Sequence, residues 1–544
     1  MSAPLVPSPS LRTPLLYAVF RAVWLASVVS NIGTWMQNVA GVWLVTTLTT
    51  SVLLVALMQA ATSLPAFLLS LPAGALGDLV DRRRLLLCTQ AFMGVVAFVL
   101  GGLTLAGQVS ALSVLGFTFL LGLGSAINAP IWQTVTTELV PRPVLPFAIT
   151  LNGVSNNIAR AVGPALGGLI IAHYSPGYVF LLNGISFVGT WVVVRRWQRP
   201  PEVVRGSAES FLGAVRTGLR YVRYSPGICA VLVRTFAFAF GASAMWALLS
   251  VVTARRLHLS SGSYGALLSW LGAGAIAGAF LLGRAGHRLP YGRRALLGSG
   301  VFVGTNLGLA FMPSEYGLFP VMFLSGVAWL TAMTSFSTTV QLAVPRWVQA
   351  RIVSIFMLVF QAGLSLGSIV WGELADRTTL VTALVAAAAW MLLSLVLAWP
   401  FPMVATASLD LEPAATGPAP GIPGLPTTAT GPIAVLTEYE VAAADQPAFR
   451  RAAARLTRRR LRDGALRAGL QTTENRLTEY FYVASCAEYE RQYHRFTRED
   501  AAVQQQLTAY HQGPEPPRLR CFLTATLLND HSTPPLPEPL LLPG

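Results

Sequence analysis

Apolar residues run in long blocks through the first 401 positions, and proline, glycine or arginine marks the breaks between them. A hydrocarbon core about 30 Å thick is crossed by about 20 mostly apolar helical residues. Blocks of that length predict twelve spans, at 18–45, 51–77, 84–106, 110–139, 146–174, 177–196, 227–254, 262–286, 295–313, 316–344, 351–375 and 378–401. The longest polar break, 197–226, divides them six and six. Within it Phe211, Val215, Leu219 and Val222 recur at three- and four-residue spacing opposite Arg216, Arg220 and Arg223. That periodicity predicts an amphipathic helix suited to an anionic membrane surface.

Beyond Pro402 the pattern changes. Residues 402–432 are rich in Ala, Thr, Pro and Gly and read as a flexible linker. Strands are then predicted at 433–441, 465–472, 476–485 and 518–527, and helices at 447–462, 486–496 and 498–511. The order β-α-β-β-α-β, with its second helix broken, is a ferredoxin-like pattern, and the proline-rich residues 533–544 read as a disordered tail. The expected fold is an all-α polytopic membrane protein with twelve transmembrane helices in two six-helix halves, 18–196 and 227–401. A cytoplasmic N-terminus, 1–17, precedes the halves, the linker 197–226 joins them, and a soluble α+β domain, 433–532, follows.

Charge placement sets the expected orientation. The chain has 38 basic residues, all arginine, and 23 acidic ones, for a net +15. Up to residue 404 the counts are 24 and 8, and beyond it 14 and 15, so the excess belongs to the apolar part. With the N-terminus inside, nineteen arginines fall in inner loops and only Arg255, Arg256 and Arg377 in outer ones. Basic residues collect on the cytoplasmic side of membrane proteins. Both termini are therefore expected to be cytoplasmic, with the lipid bilayer of the inner membrane as the partner. A nucleic-acid partner is excluded, since it requires arginines clustered on a polar face of a soluble domain. Cys88, Cys229, Cys486 and Cys521 share no close spacing, so neither a metal site nor a disulfide framework is expected. No cofactor and no catalytic set is expected. No cleavage signature follows a short apolar core near Met1, which argues against a signal peptide. A phosphate-binding GxxxxGK[ST] loop is lacking, which opposes an ATP-driven pump.

Two local motifs carry more. Gly74, Asp78, Arg82 and Arg83 form a glycine, an acid and a basic pair between spans 2 and 3, with Leu79 and Asp81 between them. An acid there can meet the positive end of another helix and act as an inner gate. In span 5, Gly163, Pro164, Gly167 and Gly168 allow close helix approach and a bend. The same span places Asn152, Asn156 and Arg160 on one face at spacing four, with Arg160 near the membrane centre. A charge at that depth costs at least about 2.5–3.5 kcal/mol and faces a cavity or a partner. Asn31, Gln37, Gln59, Asn128 and Gln361 are further candidates for the cavity lining, and Glu138 and Glu373 for proton coupling. A weak repeat relates the halves: Gly163–Gly168 echoes Gly367–Gly372, and Gly74–Arg84 echoes Gly283–Arg294.

The loop from Gly74 to Arg84 resembles the inner-loop signature of the major facilitator superfamily, and the span-5 glycines resemble its exporter signature. The run Asn157 to Gly168 is most similar to the branch of the enterobactin exporter and the transmembrane secretion effectors. Arg462 to Ala465, Phe481 to Ser485 and Tyr510 to Pro517 are similar to that branch's C-terminal extension, a small dimeric domain of the antibiotic-biosynthesis monooxygenase type. The resemblance implies a secondary exporter of a small amphiphilic or siderophore-like molecule, working by alternating access as a proton antiporter. It also implies dimerisation through the tail. The alternatives are an uptake permease or lipid flippase of the same fold, or a tethered cofactor-free oxygenase using His494, His511 and Tyr480.

Overall fold

The computed structural model describes residues 10–79, 81–197, 211–285, 289–403, 410–414, 431–473 and 476–523; for 70–79, 137, 211, 212, 214, 285 and 473 it describes the backbone alone. The chain forms two compact units. The first comprises Met1–Val215, Gly227–Leu342 and Arg351–Val404, and the second Arg216–Pro226, Ala343–Ala350 and Ala405–Gly544.

The first unit is a sheaf of long helices: α1 (Ala18–Leu48), α2 (Val52–Leu79), α3 (Arg82–Leu105), α4 (Ala111–Leu139), α5 (Leu145–His173) and α6 (Pro176–Arg196). Helix α7 (Phe211–Arg223) connects these to α8 (Pro226–Val251), α9 (Ser261–Ala285), α10 (Tyr291–Phe311), α11 (Glu315–Leu342), α12 (Arg346–Arg377) and α13 (Leu380–Val396). The starts follow local chemistry. Asp81 accepts from the Arg84 amide at 2.8 Å, Ser110 and Ser113 form a capping box, and Thr379 accepts from the Thr382 amide. Gly107, at φ +69°, turns the chain out of α3.

Nine helices among the described residues are long and apolar enough to cross a membrane, and α13 is a shorter apolar helix of 17 residues. α1 and α5 are 31 and 29 residues long, yet they are not among the nine. Both carry runs of polar side chains, including Ser30, Asn31, Gln37 and Asn38 in α1 and Asn152, Asn156, Asn157 and Arg160 in α5. Small residues let the helices approach closely. At Gly326 an added Cβ would lie 1.9 Å from the Leu271 carbonyl, so α11 presses backbone to backbone on α9.

The second unit contains a four-stranded antiparallel sheet in the order β2-β3-β1-β4, with β1 Ile433–Tyr439, β2 Arg467–Thr473, β3 Arg476–Val483 and β4 Arg518–Leu523. Helices α14 (Gln446–Asp463), α15 (Cys486–Arg495) and α16 (Arg498–Thr508) interleave with the strands. The chain order is thus β-α-β-β-α-α-β, and the break near Phe496 comes from the Thr497–Asp500 capping box that starts α16. Residues 524–527, expected in the last strand, lie outside the described residues, as does the segment 533–544. Tyr439, Phe449, Leu456, Leu477 and Leu507 pack as one core cluster, and Ile433, Val435, Phe481 and Val483 as another.

Buried charge in this unit is paired. Asp500 is fully buried and accepts from Arg459 and Arg462 at 2.8 Å each. Burial alone would raise its carboxyl, but Arg462, the Thr497 hydrogen bonds and Arg459 hold it below the ordinary value. The segments 216–226 and 343–350 belong to the same unit. Tyr221, 2% exposed, stacks edge-on to Trp347 at 5.9 Å and lies under the Arg462 guanidinium at 5.3 Å. Arg495 lies 4.5 Å from the Trp347 ring. Arg220, expected to face an anionic leaflet, lies instead in the field of Glu488 and Asp463, while Leu219 stays exposed.

Candidate functional site

Two cavities follow one another along α1. The first, about 280 Å³, is lined by Ser27, Ser30, Asn31 and Thr34 of α1, Gln90 of α3, Asn128 and Gln133 of α4, and Asn152 and Asn156 of α5. The second, about 210 Å³, takes Trp35, Asn38, Val39 and Val42 from α1, Gln59 from α2, Trp246 from α8, Tyr264 and Leu268 from α9, Trp329 from α11 and Leu364 from α12. Thr34 and Trp35 are neighbours, so the polar cavity gives way to the aromatic one within a single residue of α1. The polar cavity lies among the helices before the linker. The aromatic one is walled by helices from both sides of it.

The aromatic wall is continuous. The Trp35 and Trp246 ring centroids are 6.4 Å apart, those of Trp246 and Trp329 5.4 Å, and Trp43 stacks on Tyr264 at 5.8 Å. Arg160 lines neither cavity; its guanidinium lies 5.6 Å from the Trp35 ring, at the level where the two cavities meet. Asn156, one helical turn earlier, lines the polar cavity.

The amides divide into lining groups and groups held by other helices. Asn31 donates to Ser155 Oγ at 3.3 Å and Asn152 to Thr136 Oγ1 at 3.0 Å, and Asn128 Oδ1 accepts from Thr89 and Gln90, both at 3.3 Å. Gln37 lines the aromatic cavity but is 8% exposed, with its Oε1 accepting from Asn183 Nδ2 at 2.6 Å. Gln59 donates to Ser63 Oγ at 3.1 Å, and Gln361 reaches the Ser63 carbonyl at 3.5 Å. Gln361 lines neither cavity.

The span-5 motif seats α5 on two neighbours. An added Cβ at Gly163 would meet Trp35 Cβ at 2.5 Å, one at Gly167 the Met36 backbone at 3.0 Å, and one at Gly168 the Ser261 carbonyl at 2.6 Å. Gly265 of α9 sits against the Pro164 carbonyl, where its Cβ would lie at 2.4 Å. The motif therefore fixes the position of Trp35 and holds α5 against α9.

At the α2–α3 connection the side chains of Gly74 and Asp78 lie outside the described residues. Arg82 Nη1 pairs with Glu138 Oε1 at 2.8 Å. Arg83 donates to the carbonyls of Val194 at 3.3 Å and Arg195 at 2.5 Å, satisfying the end of α6. Glu373 pairs with Arg377 one turn on in α12. Neither Glu138 nor Glu373 lines a cavity.

A different acid bridges the sheaf. Asp376, in the last turn of α12, accepts from Ser51 Oγ at 3.0 Å and from the Val52 amide at 2.6 Å, and so caps α2. Arg255, in the π-helical turn that closes α8, donates to the carbonyls of Thr49 at 2.6 Å, Thr50 at 2.7 Å and Thr46 at 3.4 Å, where α1 ends. An anion at a helix start and a cation at a helix end each complement the helix dipole. Together they tie the α1–α2 connection to α12 and to α8, which follow the linker helix in the chain. From the sequence alone, Arg255 counts only among the outer-loop arginines and Asp376 has no role.

In the second unit the candidate residues His511 and Tyr480 do not share a face of the sheet. His511 Nδ1 accepts from the Glu440 amide at 2.9 Å and its Nε2 lies 2.8 Å from the Glu515 carbonyl, so both ring nitrogens are engaged by backbone. His511 packs on Tyr439, whereas Tyr480 alternates with the core residue Phe481 and occupies the other face of the sheet. His494 lies at the end of α15. Among the described residues no group of side chains suits a metal ion.

Comparison with known proteins agrees with a transporter. The family model for transmembrane secretion effectors matches residues 10–527. The enterobactin exporter EntS of Shigella boydii is 26% identical over 68% of this chain and 88% of its own length. The multidrug efflux pump Tap of Mycolicibacterium fortuitum is 25% identical over 74% of this chain and 99% of its own. The staphyloferrin A transporter of Staphylococcus aureus is 29% identical, but the match spans only 40% of its length. In fold, the nucleoside transporter NupG superposes with a TM-score of 0.60 at 13% identity, covering 70% of this chain and 98% of that one. A bacterial homologue of the lysosomal transporter Spinster gives 0.57 at 15% identity, covering 71% and 97%. The helical sheaf, its cavities and a family match over nearly the whole length converge: the chain belongs to the transmembrane secretion effector family, and is a multi-pass inner-membrane transporter of the major facilitator superfamily.

Proposed function

We propose that this transporter exports a small amphiphilic, siderophore-like molecule by alternating access, with twelve transmembrane helices in two six-helix halves and both termini cytoplasmic. The observation that carries the reading is the aromatic cavity lined by helices from both sides of the linker; Asp376 and Arg255 tie the α1–α2 connection to α12 and α8, and these contacts serve as the gate. The arginine bias supports an outer position for that gate. Cargo from the cytoplasm then meets the amides of Asn31, Asn128, Asn152 and Asn156 before it reaches the tryptophans. α1 and α5 serve as spans although polar, because their polar positions face cavities and neighbouring helices instead of lipid. Relatives named for enterobactin export and multidrug efflux support outward movement of an amphiphile.

Alternation requires the outer gate to break. Breaking the Asp376 bonds to Ser51 and Val52 frees the start of α2 and opens the gate, and a proton gradient drives the exchange of cargo for protons. Asp376 suits this role better than Glu138 or Glu373, which are tied to arginines of their own half. At the cytoplasmic face, Gly74, Asp78, Arg82 and Arg83 form the gating loop. Residues 433–532 are a cytoplasmic ferredoxin-like domain that dimerises through the sheet face bearing Tyr480 and Tyr482.

Everted membrane vesicles containing the protein and energised by respiration, acidic inside, test the reading. They should accumulate enterobactin or staphyloferrin A above control vesicles, and a protonophore should abolish the difference. Failure to accumulate either, with the protein present in the membrane, contradicts it; uptake or lipid flipping would give the opposite or no siderophore signal.

A further inference from the structure

The centre of the helical sheaf holds positive charge with no negative charge to meet it. Arg160 stands near the middle of the 29-residue α5. Every acidic residue before position 404 lies in a connection or within five residues of a helix end. Arg160 makes no ion pair and no hydrogen bond among the described residues, and its buried Nε has no acceptor. Its guanidinium lies over the Trp35 ring, at 5.6 Å. The second intramembrane cation, Arg234, is turned to a backbone carbonyl, that of Gly292 at 3.4 Å.

A second unmet donor lies on the same wall. Trp246 lines the aromatic cavity 6.4 Å from Trp35, and its buried Nε1 also meets no acceptor. Indole and guanidinium groups donate hydrogen bonds and cannot accept them. A buried cation without a counter-ion is strongly unfavourable, and its partner is then sought in what the site binds. An aromatic box alone would also attract cations through its ring faces. Arg160 already occupies Trp35 in that way and repels a second positive charge.

On the reading that these cavities carry an exported amphiphile, we infer that the cargo is an organic anion: a carboxylate, sulfonate or phosphate group meets Trp246 Nε1 in the field of Arg160, and a flat apolar body lies along Trp35, Trp246 and Trp329. The polar cavity then solvates the charged end of the cargo during entry. Two unit charges about 10 Å apart at an effective dielectric near 20 change affinity by roughly ten-fold. Reversing the sign of the cargo charge therefore costs at least that factor.

Three probes that share a naphthyl ring separate charge from shape: naphthalene-2-sulfonate, naphthalene-2-methanol and naphthalene-2-methylammonium. Binding to the full-length protein in nanodiscs, by isothermal titration, should favour the sulfonate over the ammonium by at least ten-fold. Arg160→Gln should bring that ratio to about one while leaving the alcohol unchanged, and Arg160→Lys should keep its sign. Equal or tighter binding of the ammonium, a ratio unchanged in Arg160→Gln, or binding of none of the three overturns the inference. The export reading fails separately. Arg160-dependent sulfonate binding without any siderophore accumulation in vesicles would sink export and leave the anion site standing. Outward transport of a cationic dye that is indifferent to Arg160→Gln would do the reverse.

Discussion

Replacing Asp376 with asparagine removes the charge that closes the α1–α2 end and leaves the side chain nearly the same size. Asp376 makes two charge-assisted hydrogen bonds, to Ser51 Oγ at 3.0 Å and to the Val52 amide at 2.6 Å. Such bonds contribute about 1.5–3 kcal/mol each, and a charge at a helix terminus about 0.3–1 kcal/mol. The site is exposed, so solvent screening reduces the sum. About 2 kcal/mol of gate closure is a reasonable expectation, or roughly a 30-fold shift of the closed–open equilibrium towards open. Spin labels on cysteines introduced at Leu48 of α1 and Thr378 beyond α12, with Cys88, Cys229, Cys486 and Cys521 replaced, report the separation of these two ends by pulsed electron resonance. Asp376→Asn should populate a longer distance than the parent shows. A distance distribution identical to the parent would refute the gate.

Other outcomes follow from the packing. Gly265→Ala puts a methyl group 2.4 Å from the Pro164 carbonyl, and backbone cannot yield as a flexible side chain does. Overpacking of this kind costs about 1–3 kcal/mol, so the thermal midpoint in detergent should fall and export should weaken with it. Tyr221→Ala removes a buried ring from between Trp347 and Arg462, at a cost of about 3 kcal/mol, and should speed amide exchange in residues 216–223 and in α14. For Asp500, the depressed native carboxyl means that its stabilisation is complete above the unfolded value near 3.8 and is lost as pH falls through the lower native value. Exchange protection of α16 should drop across that acid range, and Asp500→Asn should flatten the dependence while lowering protection at neutral pH.

Helix placement was legible in the sequence because long apolar blocks and the prolines and glycines between them act locally. The span expected at 18–45 became Ala18–Leu48, and the strand expected at 476–485 became Arg476–Val483. Arg160, Asn152 and Asn156 were found by their spacing on one helix, which required no knowledge of neighbours. The contact between Asp376 and Ser51 was hidden because the two are separated by 325 positions and meet only when α12 lies beside α2. Gln361 looked like a lining residue for the same reason, whereas Gln37 does line the aromatic cavity while its oxygen is held by Asn183: which helix an intramembrane amide meets is a tertiary fact. The linker helix shows the limit of amphipathicity. Its basic face suits anionic lipid and carboxylates equally, and the carboxylates of Glu488 and Asp463 are what Arg220 meets.

The central claim is gradient-driven movement of cargo through the closed-and-opened sheaf, and flux in proteoliposomes tests it most directly. Purified protein is reconstituted without any nucleotide, enterobactin is supplied outside, and a pH gradient is imposed in each direction in turn. With the lumen acidic, enterobactin should accumulate above its external level; with the gradient reversed, accumulation should cease, and Asp376→Asn should respond to neither. Equal entry under both gradients, or entry only with added ATP, would contradict the account.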